Sequence, residues 1–316
     1  MSSALQTERW PELPYAAWRP TYETLHLWTQ IVGKIRLMRE PWLNHSWQVA
    51  LYVTARGLTT SPMPAGARAF QIDFDFIDHV LWIRTSDDHM RQVMLAPKPV
   101  AEFYGEVMEA LIELGLGTPI DTLPCEIPDG IVFDRDNVHT AYDPLYANRF
   151  WRILLSTQAV FSRFRTGFLG KVSPVHFFWG GFDLAMTRFS GRHAPLHPGG
   201  IPRLSDTVTR EAYSHEVSSA GFWPGGGVID YPAFYSYAYP GPEGFSAASV
   251  QPREAFFSQD FGEFLLPYDA VRMAPDPEAT LMAFLQSTYE AAADLGKWDR
   301  EALECALGTP CRPRTV

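Results

Sequence analysis

Residues 22–38, YETLHLWTQIVGKIRLM, and residues 150–164, FWRILLSTQAVFSRF, open two stretches that run through the same order of elements. In the first, Tyr22, Leu25, Trp28, Val32 and Ile35 recur at the spacing of one helix face, and Pro41 ends the pattern. NHSW follows, then QVALYVTAR with β-type composition. Residues 70–76 and 80–84 alternate about Ile77-Asp78-His79 as a hairpin would, and LAPKP leads into a helix over 100–114, closed by Gly115. In the second stretch Thr157-Gln158 repeats Thr29-Gln30, SPVHFFW answers NHSW, FDLAMTRF reads as a strand, and MAPDP precedes a helix over 281–295. Trp47 and Arg56 match Trp179 and Arg188 at one constant offset.

This order predicts an α+β fold built as two tandem repeats of helix, antiparallel strands and helix, packed as one globular unit. The repeats are expected over 13–117 and 148–298, with a linker at 118–147 and a C-terminal tail at 299–316. The second copy carries a Gly-, Pro- and aromatic-rich insertion near 190–260, and loops of that kind on a rigid frame are common places for a site.

The 316 residues are 46% hydrophobic and 14% aromatic, which excludes a disordered chain and supports a large core. No apolar run is long enough to span a bilayer, and the polar start MSSALQTERW is no signal peptide. The three scattered cysteines, Cys125, Cys305 and Cys311, form no disulfide framework, so a reducing cytoplasm is expected. A net charge of −10 argues against a nucleic-acid partner.

The charge is unevenly placed. Residues 1–145 hold 11 basic against 19 acidic side chains, whereas residues 149–210 hold nine basic against only Asp183 and Asp206. Most of the basic residues are arginines, whose planar fork suits carboxylate or phosphate. The surplus either pairs with the acidic first half or serves a small anionic ligand.

There is no GxSxG elbow, P-loop, HExxH or CxxC, so chemistry must be sought in dispersed residues. His26 shares a helix face with Gln30 and Gly33, and His45 and His176 each stand shortly before a repeat's tryptophan. In the run around His215, alternation turns Tyr213, His215 and Val217 one way and Ser214, Glu216 and Ser218 the other. The sharpest reading gathers His176, His215 and a carboxylate, Glu216 or Asp183, as ligands of a divalent metal, zinc or iron, with His176, His215 and Glu216 as the catalytic residues. A middle one keeps one of these histidines as a general base without metal, and the plainer one has each histidine bonded to a backbone carbonyl.

In FDLAMTRFSGR, Phe182, Leu184 and Met186 face one layer while Asp183, Ala185 and Thr187 face the other. That second face can floor a pocket with Trp179 and Trp223 in its walls, His26 and His45 beside it, and Arg188 and Arg192 clamping an anion at its mouth. The functional expectation is an enzyme acting on a small anionic, aromatic-bodied substrate through His and carboxylate chemistry. The alternatives are a binding or sensing protein without turnover, and a structural partner protein.

The runs TLHLWTQIVGKIRL, LYVTARGLTTSP, FDFIDH, SPVHFFWG, REAYSHE, GFWPGG and FLQSTYEAAADL, spread from about Trp10 to about Glu304, resemble a bacterial family of unknown function, domain of unknown function 5996. The resemblance implies a soluble bacterial protein of this length and brings no activity, cofactor or catalytic residue with it.

Overall fold

In the second half of the chain, strands alternate between an apolar side and a side of small, hydroxyl and acidic residues, and this alternation divides core from cavity. A computed structural model describes residues 8–227 and 229–314. The first half runs from α1 (Tyr15–Arg39) through a 3₁₀ segment (Asn44–Val49) to six short strands: β1 (Tyr52–Val53), β2 (Gly57–Thr59), β3 (Met63–Ala65), β4 (Arg68–Asp75), β5 (Val80–Thr85) and β6 (Met90–Met94). α2 (Val100–Glu113) closes it. The second half opens with α3 (Pro144–Arg165), followed by β7 (His176–Phe178) and β8 (Asp183–His193). Next come α4 (Asp206–Ala212), β9 (His215–Trp223), β10 (Ala233–Tyr239), β11 (Phe256–Ser258) and β12 (Glu263–Pro267). α5 (Tyr268–Arg272), α6 (Pro277–Leu295) and α7 (Arg300–Leu303) complete it.

The α+β class is therefore observed, with every strand pairing antiparallel. One sheet has the order β1-β2-β4-β5-β6 with β3 also on β4, and the other the order β11-β12-β10-β9-β8-β7. Their edges meet at Leu51 and Phe177, which exchange two backbone hydrogen bonds of 2.9 and 2.8 Å. α3 and α6 start earlier than periodicity suggests because Asp143 and Asp276 cap them and Pro144 and Pro277 occupy their first positions.

Beneath the second sheet, Leu184, Met186, Phe222, Phe234, Phe264 and Leu266 join one continuous core with residues of α1, α2, α3 and α6. Residues 118–147 belong to the packed body too: Phe133 and Tyr142 are buried in that core. The stretch near 190–260 supplies β9 and β10, two inner strands of the second sheet. The offset linking Trp47 to Trp179 and Arg56 to Arg188 does not join equivalent positions. Trp47 precedes β1 whereas Trp179 follows β7; Arg56 lies in an exposed turn paired with Asp75 and Asp78, whereas Arg188 is buried within β8.

α1 meets the second sheet through one face. Gly33 leaves room for the Trp179 indole, since a Cβ there would fall 2.2 Å from the ring. One turn back, the Gln30 side chain accepts from Cys125 N at 2.8 Å and donates to Cys125 O at 2.9 Å. A further turn back, His26 Nε2 donates to Gly180 O at 2.8 Å. Gly33→Ala is therefore expected to cost about 1–3 kcal/mol through overpacking and to displace Trp179. Urea unfolding checks the first effect, and the emission of that indole the second.

Candidate functional site

Strand register builds the floor of a cavity of about 460 Å³. On β8, Asp183, Ala185, Thr187 and Phe189 turn away from the core; on β9, Val217, Ser219 and Trp223 do the same, and all line the cavity. Tyr235 and Tyr237 continue the floor on β10. β12 pairs Phe264 with Ser236, which sets Glu263 opposite Tyr237 on the same face. The walls carry Trp47, Phe178 and Trp179. The roof comes from the 3₁₀ segment of the first half and from α4 and its flanks, joined where His45 Nδ1 donates to Ala212 O at 2.7 Å and Trp42 Nε1 to Glu211 Oε2 at 2.6 Å.

Three carboxyl groups converge here: Glu126, Asp183 and Glu263. A Cβ placed on Gly181 would lie 2.9 Å from Asp183 Oδ1 and 3.9 Å from Glu126 Oε2, so these two oxygens are at most the total of those lengths apart. Gly180 admits Glu126, whose Oε1 would overlap any side chain at that position. Asp183 accepts from the Tyr235 hydroxyl. Glu263 is 8% exposed and its carboxyl has no hydrogen bond or ion pair to a described residue. Around them, the Tyr213 and Tyr237 hydroxyls bond at 2.7 Å, and those of Thr187 and Ser219 at 2.9 Å. Two roof hydroxyls, Ser46 Oγ and Thr209 Oγ1, are buried without a partner among the described residues. Among the described residues no Lys or Arg lines the chamber.

This environment resists ionisation. Burial pushes the Asp183 carboxyl up to about 6 against the opposing Tyr235 bond. Burial and then the charge of Asp183 push Glu263 up to about 8. Glu126 is raised by the same two causes, although its residue keeps an exposed outer surface.

Of the residues expected at a site, Asp183, Trp179, Trp223 and His45 line this cavity. The others do not. Pairing puts His176 beside Ala185 and Ala185 beside Gly221, while His215 lies six residues from Gly221 along β9, a separation on the order of 20 Å. His176 and His215 therefore cannot share an ion. Glu216 points to the opposite side of the sheet, where Ser190 and Arg192 hold it at 2.8 and 2.7 Å. The described residues contain no group of three or more His, Cys, Asp or Glu disposed around one metal position. His176 packs among Trp47, Tyr52 and Phe178, pushed down to about 3 by burial and next by the Arg165 charge. His26, pushed down to about 4 by burial, positions Gly180 from outside the cavity.

The two arginines are also committed elsewhere. Besides Glu216, Arg192 binds the carbonyls of Gly296 and Lys297 beyond α6. Arg188, 2% exposed, donates to Phe164 O at 2.5 Å and lies over the rings of Phe164, Tyr289 and Phe168 at 3.6, 4.3 and 5.0 Å. It occupies the core face of β8, one residue out of phase with the cavity, so neither guanidinium can clamp a ligand there. Glu126, Glu263 and Tyr213 were not anticipated as site residues. An acid opening the apolar run EFLLP is a sequence signal for Glu263; nothing in PCEIPDG marks Glu126.

These features define an α+β protein with an aromatic-walled, carboxyl-lined chamber that is partly open to solvent. The chain belongs to a family described as a family of unknown function (DUF5996), which matches residues 10–305. No curated protein and no solved structure matches it.

Two outcomes follow from the geometry. Arg188→Met should stay within about 1 kcal/mol of wild type or exceed it, because a buried charge with no carboxylate within 4.0 Å among the described residues is replaced by apolar bulk, Phe164 O keeps its bond from Gly167 N and Glu304 keeps Arg300. Arg188→Ala should lose roughly 2 kcal/mol or more from the emptied ring cage. Guanidinium unfolding of both variants checks the pair.

The second outcome concerns pH. Below 6.5 the buried histidines, depressed in the fold, make stability rise with pH, opposing the carboxyls. Between pH 6.5 and about 8 Glu263 remains protonated in the fold but ionised when unfolded, so stability falls as pH rises. Glu263→Gln should flatten that fall, as read from unfolding midpoints across this window.

Proposed function

We propose that this protein binds a small organic cation, an amine carried on a flat apolar body, in the chamber above β8, β9 and β10. One observation carries the reading: Glu126, Asp183 and Glu263 face an aromatic-walled cavity without an ion-pair partner among the described residues. Ionising buried carboxyls such as those of Asp183 and Glu263 is costly unless a cation arrives, and raised acids in a cleft make it a candidate functional site. Indole and phenol faces attract a cation as well, with about 0.5–2 kcal/mol available from such contacts. The buried, unpartnered hydroxyl of Thr209 supports the reading independently, as a polar roof group that a ligand would satisfy.

The aromatic body expected from the sequence is kept and the sign of the ligand charge is reversed, because Arg188 and Arg192 are committed elsewhere. The approach of Glu126 to Asp183 across Gly181 favours a second reading, in which one carboxyl holds a proton and the other does not, and the pair performs acid–base chemistry on the bound amine.

We also infer that the halves arose by duplication, supported by their shared order of helix, antiparallel sheet and helix and by the meeting of their first strands at Leu51 and Phe177. The three free cysteines support a reducing cytoplasm, and no helix among the described residues is long and apolar enough to cross a membrane.

Calorimetric titration with matched arylalkylamines and arylalkanoates tests the function. The amines are expected to bind with the acids silent, and Asp183→Asn is expected to weaken the amines about tenfold or more, the equivalent of one lost charge-assisted contact. Binding of the acids alone overturns the reading.

A further inference from the structure

A second cavity, of about 300 Å³, adjoins the core face of β8, and Arg188 is part of its lining. Met282 and Gln286 of α6 stand on one side, and Glu304, Cys305 and Leu307 beyond α7 on the other. It opens between these two segments, where Leu307 is 42% exposed and the other four are half-buried. Arg188 brings to it a charge that the fold leaves largely unspent. Of its guanidinium N–H groups only one, on Nη2, finds an acceptor among the described residues, Phe164 O. Nε is buried without a partner, and Nη1 makes no hydrogen bond to a described residue. The rings beneath the guanidinium stabilise its charge but accept none of its in-plane N–H groups. Burial lowers Arg188 to about 10 against smaller opposing effects of Tyr289, Glu304 and Cys305, so it is charged at neutral pH. The polar groups around it are engaged elsewhere. Glu304 accepts from the Tyr289 hydroxyl at 2.9 Å and from Arg300 Nε at 2.5 Å, Gln286 donates to Glu290 at 2.8 Å, and the Cys305 thiol donates to Thr166 O at 3.3 Å.

We infer that this cavity binds a small monovalent anion, of the chloride or nitrate class, on the free N–H groups of Arg188. A buried cation with open donors gains most from an acceptor that also carries the missing countercharge. One guanidinium supplies one charge, and the Glu304 carboxylate in the lining repels any further negative charge on the ligand, which disfavours sulfate and phosphate. Met282 and Leu307 replace water around the ion, so weakly hydrated anions enter more readily than fluoride. A net charge of −10 works against anions at long range, and binding is expected in the millimolar range, about 1 mM or weaker. Arylalkanoates at the submillimolar concentrations that test the chamber therefore leave this site empty. The inference is independent of the amine reading, because Arg188 and the chamber floor occupy opposite faces of β8.

The width of the chloride NMR resonance, read with the full chain in sodium chloride, tests the inference, since exchange with a protein site broadens it. Wild type is expected to broaden the resonance, nitrate to reverse the broadening, and fluoride or sulfate at matched ionic strength to leave it in place. Arg188→Met is expected to lose the nitrate-reversible part. Broadening that nitrate does not reverse, or a nitrate-reversible part that Arg188→Met retains, overturns the inference. Should Arg188→Met fail to fold, Gly167→Ala decides in its place. Its added Cβ would stand 3.6 Å from Arg188 Nη2 and 3.3 Å from Leu307, narrowing the cavity while keeping the charge. A several-fold loss of the nitrate-reversible part is expected there, and an unchanged width overturns the inference.

Discussion

α1 and the turn after β7 come together with no space for one methyl group, and the placement of the site depends on that contact. Gly33 receives the Trp179 indole, whose Nε1 then donates to Val49 O at 2.8 Å. From the same helix face His26 fixes Gly180 and Gln30 fixes Cys125, the residues before Gly181 and Glu126. Two loops distant in sequence are thereby held where Glu126 can approach Asp183. Side chains on a helix are better anchors than side chains on loops, because their rotamers are set by packing along a rigid axis. The first half thus contributes to the chamber mainly by holding parts of the second.

Division of labour between the sheet faces then determines the chemistry. On β8 the even positions Leu184, Met186 and Arg188 enter the core, and the odd positions Asp183, Ala185, Thr187 and Phe189 form the floor. Burial under aromatic walls holds the carboxyls of this acidic floor protonated above their ordinary range. Among the described residues no carboxylate comes within 4.0 Å of the Arg188 guanidinium, which rests on three ring faces and a carbonyl while the Glu304 charge acts on it from farther off.

Much of this was legible in the sequence. The two long helices, the hairpin of β4 and β5, and the face of β8 bearing Asp183 followed from periodicity alone, because each is an amphipathic element whose pattern matches its burial. The helix face of His26, Gln30 and Gly33 was legible as a face but not as a clamp, since its partners lie about 90 to 150 residues away. Arg188 was assigned to the cavity mouth on charge, although the same alternation that placed Asp183 on the floor put Arg188 on the core side. Composition outweighed parity there, and parity was the stronger constraint. Glu263 reaches the site through the pairing of β12 with β10, and Glu126 through a connecting loop, and such non-local placements leave no local pattern to read.

The chamber is assembled from segments far apart in the chain: the 3₁₀ segment of the first half, the connecting loop at Glu126, the second sheet, and the roof around α4. An occupant touches all of them at once and touches none in the unfolded chain. By mass action its binding free energy is then shared by the whole fold, since opening either half separates groups that the occupant holds together. On the binding reading proposed above, resistance to unfolding and proteolysis would become a readout of how much of that ligand is present, with no separate sensor element required.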